Sequence, residues 1–307
     1  MCGLVTTQSG LVMSKAGGIY KVYVGEEVLE ATLRGRFKQQ DKKHIFVGDR
    51  VSLNEHADGS RTIEEISQRT NLLRRRSPGK SRGERIVAAN IDQVVVVGAA
   101  RRPDWNPHLI DRFIAVAEAN ALEILLVVNK CDLVDDASQL AVPYIAAHYP
   151  VILTSVPDSR GMEALRTRLE SCVSLFSGPT GVGKSSLLNA LQPGLKLRTA
   201  EVSAKSGAGR HTTVAAEMHP FGTAGFVVDT PGLRDIGLWG LEPDEVEAAY
   251  PEFLALAAGC RFDDCRHLEE PGCVVLKAIE KGELAKSRHE SYQQLLDEAY
   301  RAARPWR

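Results

Sequence analysis

The apolar positions of the chain follow a different spacing in each of three regions. Between residues 18 and 70, apolar and polar residues alternate in short runs that Gly- and Asp-containing turns separate. This alternation is typical of half-buried β-strands. The predicted strands are residues 20–24, 28–33, 46–53 and 62–66. Several short strands in such a short region predict a small closed barrel. An OB-fold is favoured, and an SH3-like barrel is the alternative.

The second region, which begins at residue 91, alternates buried strands with helices. Short apolar, β-branched runs predict strands at residues 91–98, 124–128, 151–154, 173–176 and 225–228. Helices are predicted at residues 107–120 and 186–191. This alternation indicates an α/β domain with a doubly wound parallel sheet. A third region, from residue 241, has the spacing of helices.

A basic segment separates the first two regions. Residues 74–86 contain six basic residues and one acidic residue, together with Pro, Gly and Ser. This composition predicts a linker.

The composition excludes some classes of protein. Of the 307 residues, 44% are apolar and 25% are charged, as is ordinary for a globular protein. The net charge of −1 gives the whole molecule no attraction to nucleic acid, so such binding requires a local basic patch. Residues 1–10 lack the pattern of a signal peptide, and no apolar run approaches the roughly 18–20 residues that span a bilayer. We therefore expect a cytoplasmic monomer without membrane contact.

One glycine-rich segment joins a predicted strand to a predicted helix. Its residues are Gly178, Pro179, Thr180, Gly181, Val182, Gly183, Lys184 and Ser185, followed by Ser186 in the helix. This is the GxxxxGKS pattern of a P-loop, in which backbone N–H groups and a helix N-terminus surround phosphates. Lys184 should neutralise the β- and γ-phosphates, and Ser185 should bind Mg²⁺. The strand and helix on either side make a chance match a poor explanation.

A second phosphate-related segment is Asp229-Thr230-Pro231-Gly232, which follows an apolar strand. In this position Asp229 can hold a Mg²⁺-bound water, and the N–H of Gly232 can bind the γ-phosphate. Alone the segment is an ordinary turn. After a P-loop it predicts a switch that responds to hydrolysis.

The nucleotide is indicated by Asn129, Lys130, Cys131 and Asp132, which follow the strand at residues 124–128. A carboxylate in this position can accept both the N1–H and the 2-amino group of guanine. Adenine would leave the carboxylate unpaired, and such a mismatch discriminates by orders of magnitude. Thr154, Ser155 and Val156, after the next strand, fit the loop behind the guanine O6. The predicted ligand is therefore GTP or GDP.

The order of these motifs is unusual. Ordinary small GTPases have the phosphate loop first and the guanine motif later, whereas here the guanine motif comes first. New chain ends can open in a surface loop without disturbing the sheet. The order therefore predicts a circularly permuted GTPase.

The third region contains a cluster with the spacing Cys260-x4-Cys265-x-His267-x5-Cys273. Three thiolates and one imidazole form a closed tetrahedral set, which predicts one structural zinc ion. Free buried cysteines are the alternative.

A local basic patch is predicted on the barrel and its adjoining segment. The candidate RNA contacts are Arg34, Arg36, Lys38, Arg74, Arg75 and Arg76. Basic residues near aromatic side chains suit phosphate contact and base stacking. An ordinary solvated loop is the alternative for any single residue.

These motifs, together with residues 209–213 (Gly-Arg-His-Thr-Thr) and residues 233–239 after Gly232, resemble the bacterial ribosome-small-subunit-dependent GTPase A family. The resemblance covers nearly the whole chain. It implies binding to the small ribosomal subunit and its rRNA, late maturation of that subunit, and GTP hydrolysis that the subunit stimulates. The family usually has a third threonine where this chain has Val214. Whether Thr212 or Thr213 completes the Mg²⁺ shell therefore stays open.

The position after Gly232 lacks a hydrolytic residue. Ras-like enzymes use a glutamine there to orient the attacking water, and this chain has Leu233. His211, in the loop before Asp229, is the best local replacement, since a neutral imidazole can accept a hydrogen bond from water. The alternatives are a group from the partner and a solvated His211 without a role.

We predict four segments: an OB-like RNA-binding barrel at residues 1–73, a basic linker at 74–86, a circularly permuted GTPase domain at 87–240, and a helical zinc-binding domain at 241–307. The favoured function is a GTPase that acts as a checkpoint in maturation of the small ribosomal subunit. An RNA-tethered GTP sensor with negligible turnover is the alternative, and Leu233 keeps it open.

Overall fold

A computed structural model describes residues 7–33, 45–76, 84–195, 216–229 and 241–303. Among these residues, no helix is both long and apolar enough to cross a membrane.

The N-terminal region is a closed five-stranded barrel. Its strands are β1 (Thr7–Ala16), β2 (Ile19–Val24), β3 (Glu27–Leu33), β4 (Arg50–Glu55) and β5 (Arg61–Ile66). Their order is β1-β2-β3-β5-β4, and only the β3–β5 pair is parallel. Alternate residues of these strands, including Val22, Leu53 and Ile63, fill the interior, as the period of two along a strand requires. The predicted OB-like barrel is confirmed.

The segment predicted as a linker contains parts of two paired strands. Strands β6 (Leu72–Arg76) and β7 (Glu84–Ala89) form an antiparallel two-stranded sheet. Leu73 and Ala88 are buried and join the same apolar cluster as the central sheet, which explains why this basic stretch is held as a hairpin. The Pro, Gly and Ser residues that suggested a linker belong to residues 77–83, which lie outside the described residues. The domain boundaries themselves stay predictions.

The second region is a six-stranded sheet. Its strands are β8 (Gln93–Ala99), β9 (Glu123–Asn129), β10 (Val151–Leu153), β11 (Val173–Ser177), β12 (Glu217–Phe221) and β13 (Gly225–Asp229). The order is β10-β9-β8-β11-β13-β12, with β12 antiparallel and the other strands parallel. Helices α1 (Pro107–Ala119), α2 (Ser138–Ala146), α3 (Met162–Leu169) and α4 (Lys184–Leu191) connect them.

Apolar side chains cover both faces of this sheet. Phe113 and Ile114 of α1 pack in one cluster with Val94 and Val96 of β8. The alternate residues of that strand, Val95 and Val97, pack in a second cluster with residues of α3 and α4. The sheet is therefore doubly wound, as the sequence predicts.

The C-terminal region is helical. It contains α5 (Pro243–Ala248), α6 (Pro251–Ala257), α7 (Val274–Glu280) and α8 (Lys286–Ala303). Its core is formed by Val246, Tyr250, Phe253, Tyr292 and Leu296. Because Ala115 of α1 belongs to the same cluster, the helical region and the sheet domain share a packed interface.

A buried charged group lies at that interface. The Arg288 guanidinium on α8 donates from Nη1 to Asp111 Oδ1 of α1 at 2.7 Å and from Nε to Glu252 Oε1 of α6 at 2.8 Å. Burial alone would lower the pKa of Arg288, but the two carboxylates outweigh it and raise that pKa well above its ordinary value. The guanidinium therefore stays charged and joins three helices.

Candidate functional site

The carboxyl edge of the parallel sheet is where the phosphate loop and the guanine motif meet. The strands that follow β8 in the chain, β9 and β10, lie on one side of it in the sheet. The next strand, β11, lies on the opposite side of β8. A reversal of this kind opens a crevice between the strands at their carboxyl ends, and ligands of open α/β sheets bind there.

The phosphate loop leaves β11 and enters α4 through three glycines in the left-handed region. Their φ angles are 129° at Gly178, 83° at Gly181 and 98° at Gly183. A Cβ on Gly178 would lie 2.2 Å from the carbonyl oxygen of Val97 on β8. Only glycine fits this approach, so the loop is held tightly against the neighbouring strand.

Lys184 lies over the loop at the start of α4. Its Nζ donates to the carbonyl oxygens of Gly178 at 2.7 Å and of Pro179 at 2.8 Å. Ser185 and Ser186 follow in the first turn of α4, where the helix dipole and free N–H groups favour anions. Lys184 therefore lies beside the glycine-rich loop, where the lysine of a P-loop is found.

Asp229 ends β13, the neighbour of β11. The two strands are parallel, with Leu175 opposite Val228, so Asp229 lies at the same edge as the phosphate loop. The hydroxyl of Ser185 and the carboxylate of Asp229 are oxygen donors of the kind that Mg²⁺ prefers. This donor pair fits a magnesium ion.

The guanine motif is fixed to the phosphate loop by two side chains. Asn129 is buried, and its Nδ2 donates to the Val182 carbonyl oxygen at 2.8 Å. The Nζ of Lys130 donates to the Gly181 carbonyl oxygen at 2.6 Å and also to the carbonyl oxygen of Arg102. Burial lowers the pKa of Lys130, and Asp132 opposes that effect. The guanine motif therefore holds the shape of the phosphate loop directly.

The rest of the guanine motif faces the loop after β10. The hydroxyl of Thr154 donates to Asn129 Oδ1 at 3.0 Å, and that of Ser155 donates to Asp132 Oδ1 at 2.8 Å. Cys131 is buried and its N–H donates to the Thr154 carbonyl oxygen at 3.1 Å. Asp132 is exposed, which leaves its second oxygen accessible to a base.

Val156 follows this pair and is partly buried against the apolar cluster of α3 and α4. The two guanine-related segments predicted from the sequence, residues 129–132 and 154–156, thus lie together. Their contacts to a nucleotide stay predictions.

Several predicted site residues cannot be placed. Those that lie outside the described residues are Arg34, Arg36, Lys38, His211, Thr212, Thr213 and Gly232. Arg74 is exposed on β6, and its backbone N–H donates to Asn120 Oδ1 at 2.9 Å. For Arg75 and Arg76 the structure describes only the backbone, which belongs to β6.

The predicted zinc ligands are close together. The sulfur atoms of Cys260, Cys265 and Cys273 and one nitrogen of His267 lie within 4.8 Å of one another. His267 Nδ1 is 3.6 Å from Cys260 Sγ, 3.5 Å from Cys265 Sγ and 3.3 Å from Cys273 Sγ. Tetrahedral zinc with Zn–S bonds of about 2.3 Å would place its sulfurs roughly 3.8 Å apart. The 3.9 Å between Cys260 Sγ and Cys273 Sγ agrees with that value.

Local structure prepares these ligands. Cys273 is the N-cap of α7, and His267 has a φ of 59° in the loop before it. Burial lowers the pKa of His267, which favours the neutral imidazole that a metal requires. The His267 carbonyl oxygen contacts His289 Nε2 at 2.6 Å, so α8 supports the cluster. The donor set fits a closed zinc site and could hold that ion.

One feature of the nucleotide site was missed by the sequence analysis. The loop after β8 carries Arg102, whose carbonyl oxygen is bound by Lys130. The sequence did offer one indication of this loop. It follows an apolar strand of a predicted parallel sheet, and ligand-binding loops lie at that end of such strands.

Comparison with known proteins agrees with the geometry. A model for the RsgA GTPase matches residues 66–239, and a model for the RsgA N-terminal domain matches residues 9–63. A relative from Gemmatimonas aurantiaca, named small ribosomal subunit biogenesis GTPase RsgA, is 48% identical over 96% of this chain and 98% of its own. One of the same name from Thermotoga petrophila is 41% identical, over 89% of this chain and 90% of its own.

Two solved structures are also similar. YjeQ from Thermotoga maritima matches with a TM-score of 0.78 and 36% identity, over 96% of this chain and 99% of that one. YloQ, described as a circularly permuted GTPase, matches with a TM-score of 0.76 and 28% identity, over 100% of this chain and 99% of that one. The predicted permutation and the predicted family resemblance are confirmed, and this chain belongs to the RsgA GTPase family.

Proposed function

We propose that this protein is a GTPase that acts in the biogenesis of the small ribosomal subunit, where hydrolysis serves as a checkpoint in late maturation. The observation that carries the proposal is the direct bonding of the guanine motif to the phosphate loop, through Asn129 to Val182 and through Lys130 to Gly181. The relatives from Gemmatimonas aurantiaca and Thermotoga petrophila, which match most of the chain and are named small ribosomal subunit biogenesis GTPases, support the same assignment.

Each described residue of the site has a role in this proposal. Asp132 accepts from the guanine N1–H and 2-amino group while Ser155 orients it. Residues 154–156 back the base, and the loop at residues 178–183 binds the phosphates. Lys184 leaves the Gly178 and Pro179 carbonyl oxygens and neutralises the β- and γ-phosphates. Cys131, which is buried, maintains the turn below the base.

Magnesium, when bound, neutralises charge that develops on the phosphates during transfer. Ser185, one of Thr212 and Thr213, and Asp229 would hold it. The N–H of Gly232 binds the γ-phosphate, so its segment distinguishes GTP from GDP. His211 accepts a hydrogen bond from the attacking water and orients it.

The remaining regions bind the ribosomal subunit and stabilise the fold. The barrel and its hairpin contact rRNA phosphates through Arg34, Arg36, Lys38, Arg74, Arg75 and Arg76. Cys260, Cys265, His267 and Cys273 hold one zinc ion, which is structural because the set has no open position. Because its proposed partner is the small ribosomal subunit, we infer that the protein acts in the cytoplasm, and we expect it to be a monomer.

Co-sedimentation with small ribosomal subunits tests the proposal. We expect more protein to sediment with the subunits in a non-hydrolysable GTP analogue than in GDP, since the γ-phosphate orders the switch. An Asp132→Asn variant, which no longer binds guanine, should sediment equally in both. Equal sedimentation of the unmodified protein in both nucleotides would contradict a nucleotide-gated checkpoint.

The competing function, an RNA-tethered GTP sensor without turnover, is not favoured, because the matching family is one of GTPases. The sensor function agrees with the presence of Leu233 in place of a glutamine. Only a measurement of GTP turnover distinguishes the sensor from the GTPase.

A further inference from the structure

The loop between β8 and α1, residues 100–106, is bound to both nucleotide motifs. We refer to it as the arginine loop because Arg101 and Arg102 lie in it. The N–H of Ala100 donates to the Asn129 carbonyl oxygen at 2.8 Å. Lys130 Nζ donates to the carbonyl oxygens of both Arg102 and Gly181. The position of this loop is therefore set by the guanine motif and the phosphate loop together.

Direct packing brings the arginine loop against the phosphate loop as well. A Cβ placed on Gly181 would lie 3.6 Å from Cδ of Pro103, an ordinary contact distance. The Lys130 ammonium group donates to the carbonyl oxygens of both Arg102 and Gly181. It therefore bridges the main chain of Arg102 and the phosphate loop. This backbone position brings the start of both arginine side chains close to the phosphate loop.

The two guanidinium groups of this loop are available to a ligand. Arg101 and Arg102 are both exposed, and neither side chain forms a hydrogen bond or ion pair with a residue in the described part of the chain. Asp104 is exposed in the same loop and is likewise not paired with either of them. By contrast, the partly buried Arg61 pairs with Glu55, and the exposed Arg168 pairs with Glu123.

The backbone of Arg102 is held in an unfavourable conformation. Its φ is 57°, a left-handed value that residues with a side chain rarely adopt. Strained conformations persist where the surroundings hold them, and they concentrate at ligand clamps. Here the Lys130 bond to the Arg102 carbonyl oxygen holds the residue.

We propose that the guanidinium groups of Arg101 and Arg102 bind phosphate oxygens of the bound guanine nucleotide, as a cationic clamp beside Lys184. The inference rests on the proposed GTP binding. A planar guanidinium matches two phosphate oxygens at once, and the shared Lys130 donor couples the clamp to recognition of the base. The contacts of the arginine loop to Lys130 and Gly181 favour a nucleotide phosphate over an rRNA phosphate.

The test is nucleotide affinity in the absence of ribosomal subunits. A double variant, Arg101→Gln with Arg102→Gln, removes both charges and keeps side-chain length. Its dissociation constants for GTP and GDP, measured by displacement of a fluorescent GDP, should rise about tenfold or more, as for loss of a charge-assisted bond. The salt dependence of both constants should also weaken. Arg50→Gln, at an exposed site on β4 of the barrel, is the matched control and should bind as the unmodified protein does.

Each result has a distinct meaning. Unchanged affinity of the double variant for both nucleotides would overturn the clamp, while GTP binding by the unmodified protein would leave the proposed function intact. Unchanged affinity with lost binding to small subunits would assign the arginine loop to rRNA instead and would also overturn the clamp. If the unmodified protein failed to bind GTP, both proposals would fall. The single variant Arg101→Gln covers the case in which Arg102→Gln disturbs the loop, because Arg101 has no positive φ angle. This variant should show a partial loss of nucleotide affinity.

Discussion

At the scale of single residues, Asp132 determines which base the site accepts. Its Oδ1 is held by Ser155 at 2.8 Å, and the side chain is exposed. The Asp132→Asn variant replaces an acceptor with an amide whose N–H₂ faces guanine donors. We expect GTP affinity to fall about hundredfold or more, because the guanine N1–H and 2-amino donors then lose their acceptor.

Titration calorimetry with GTP measures this loss. Asp135→Asn is the matched control, because Asp135 is exposed three residues further along the same loop. GTP binding of Asp132→Asn at the strength of the Asp135→Asn control would contradict the guanine assignment.

His211 carries the prediction about hydrolysis. The His211→Ala variant should bind GTP with unchanged affinity, while turnover stimulated by small subunits should fall by roughly 10²–10⁴. The reason is that the imidazole orients water and does not hold the nucleotide. His148→Ala is the control, since His148 is exposed just beyond α2. Normal stimulated turnover of His211→Ala would remove the assignment.

Some features of the nucleotide site could be predicted from the sequence, and others could not. The guanine motif and phosphate loop were found because their residue types and spacing are specific for the chemistry. The approach of Arg102 to Lys130 was not found, since it depends on sheet order. That order places Val97 of β8 against Gly178, far along the chain, and no local pattern records such a neighbour.

At the scale of elements, the cysteine cluster connects α7, α8 and the loop between α6 and α7. Cys265→Ser should lower bound zinc well below one per chain and lower the melting temperature by roughly 5–10 °C, because structural zinc contributes directly to folding. Elemental analysis and thermal denaturation measure the two effects.

The control for this prediction is Cys172→Ser, since Cys172 lies between α3 and β11, outside the cluster. Treatment of the unmodified protein with a strong chelator should reproduce the loss of stability. Less than stoichiometric zinc in protein purified without chelator would count against the site.

Elements were predicted well where burial follows a simple period. Strands β2 to β5 of the barrel and the five parallel strands of the sheet were predicted, because their apolar positions follow the burial of one or both faces. Strands β1 and β12 were not predicted. Residues 74–86 were predicted as a linker from their basic, Pro, Gly and Ser content. The end of β6 and the start of β7 lie in this segment, and the residues that bury the two strands, Leu73 and Ala88, lie just outside it. Whether such a segment forms a strand depends more on its tertiary packing than on the local propensity of its residues.

At the scale of the whole molecule, Arg288 joins the helical region to the sheet domain. Removing it by Arg288→Met would leave the carboxylates of Asp111 and Glu252 buried without a counter-charge. We expect a loss of about 3–5 kcal/mol in the free energy of unfolding, as for other broken buried pairs. Denaturant unfolding measures it.

Arg301→Met is the matched control for this change. Arg301 lies on the same helix and pairs with Asp297 at 2.5 Å, but its side chain is exposed, so its loss should cost less than about 1 kcal/mol. Equal stability of the two variants would show that the buried pair does not hold the regions together.

One helix connects the nucleotide site to the interface with the helical region. Helix α1 begins at Pro107, directly after the arginine loop, and carries Asp111 one turn later. The start of helix α1 therefore adjoins the loop that contacts Lys130. Asp111, on the same helix, contacts the buried Arg288. The circular permutation could be predicted from motif order, whereas this connection required the packed structure.

We expect the small ribosomal subunit to stimulate GTP hydrolysis by this protein. Phosphate release from GTP, measured with and without purified small subunits under multiple-turnover conditions, tests this expectation. Release by the protein alone should be slow, and the subunits should increase it at least about tenfold, on the scale expected when a positioned group completes a hydrolytic site. Equal rates with and without subunits, at concentrations where the two are bound, would contradict it.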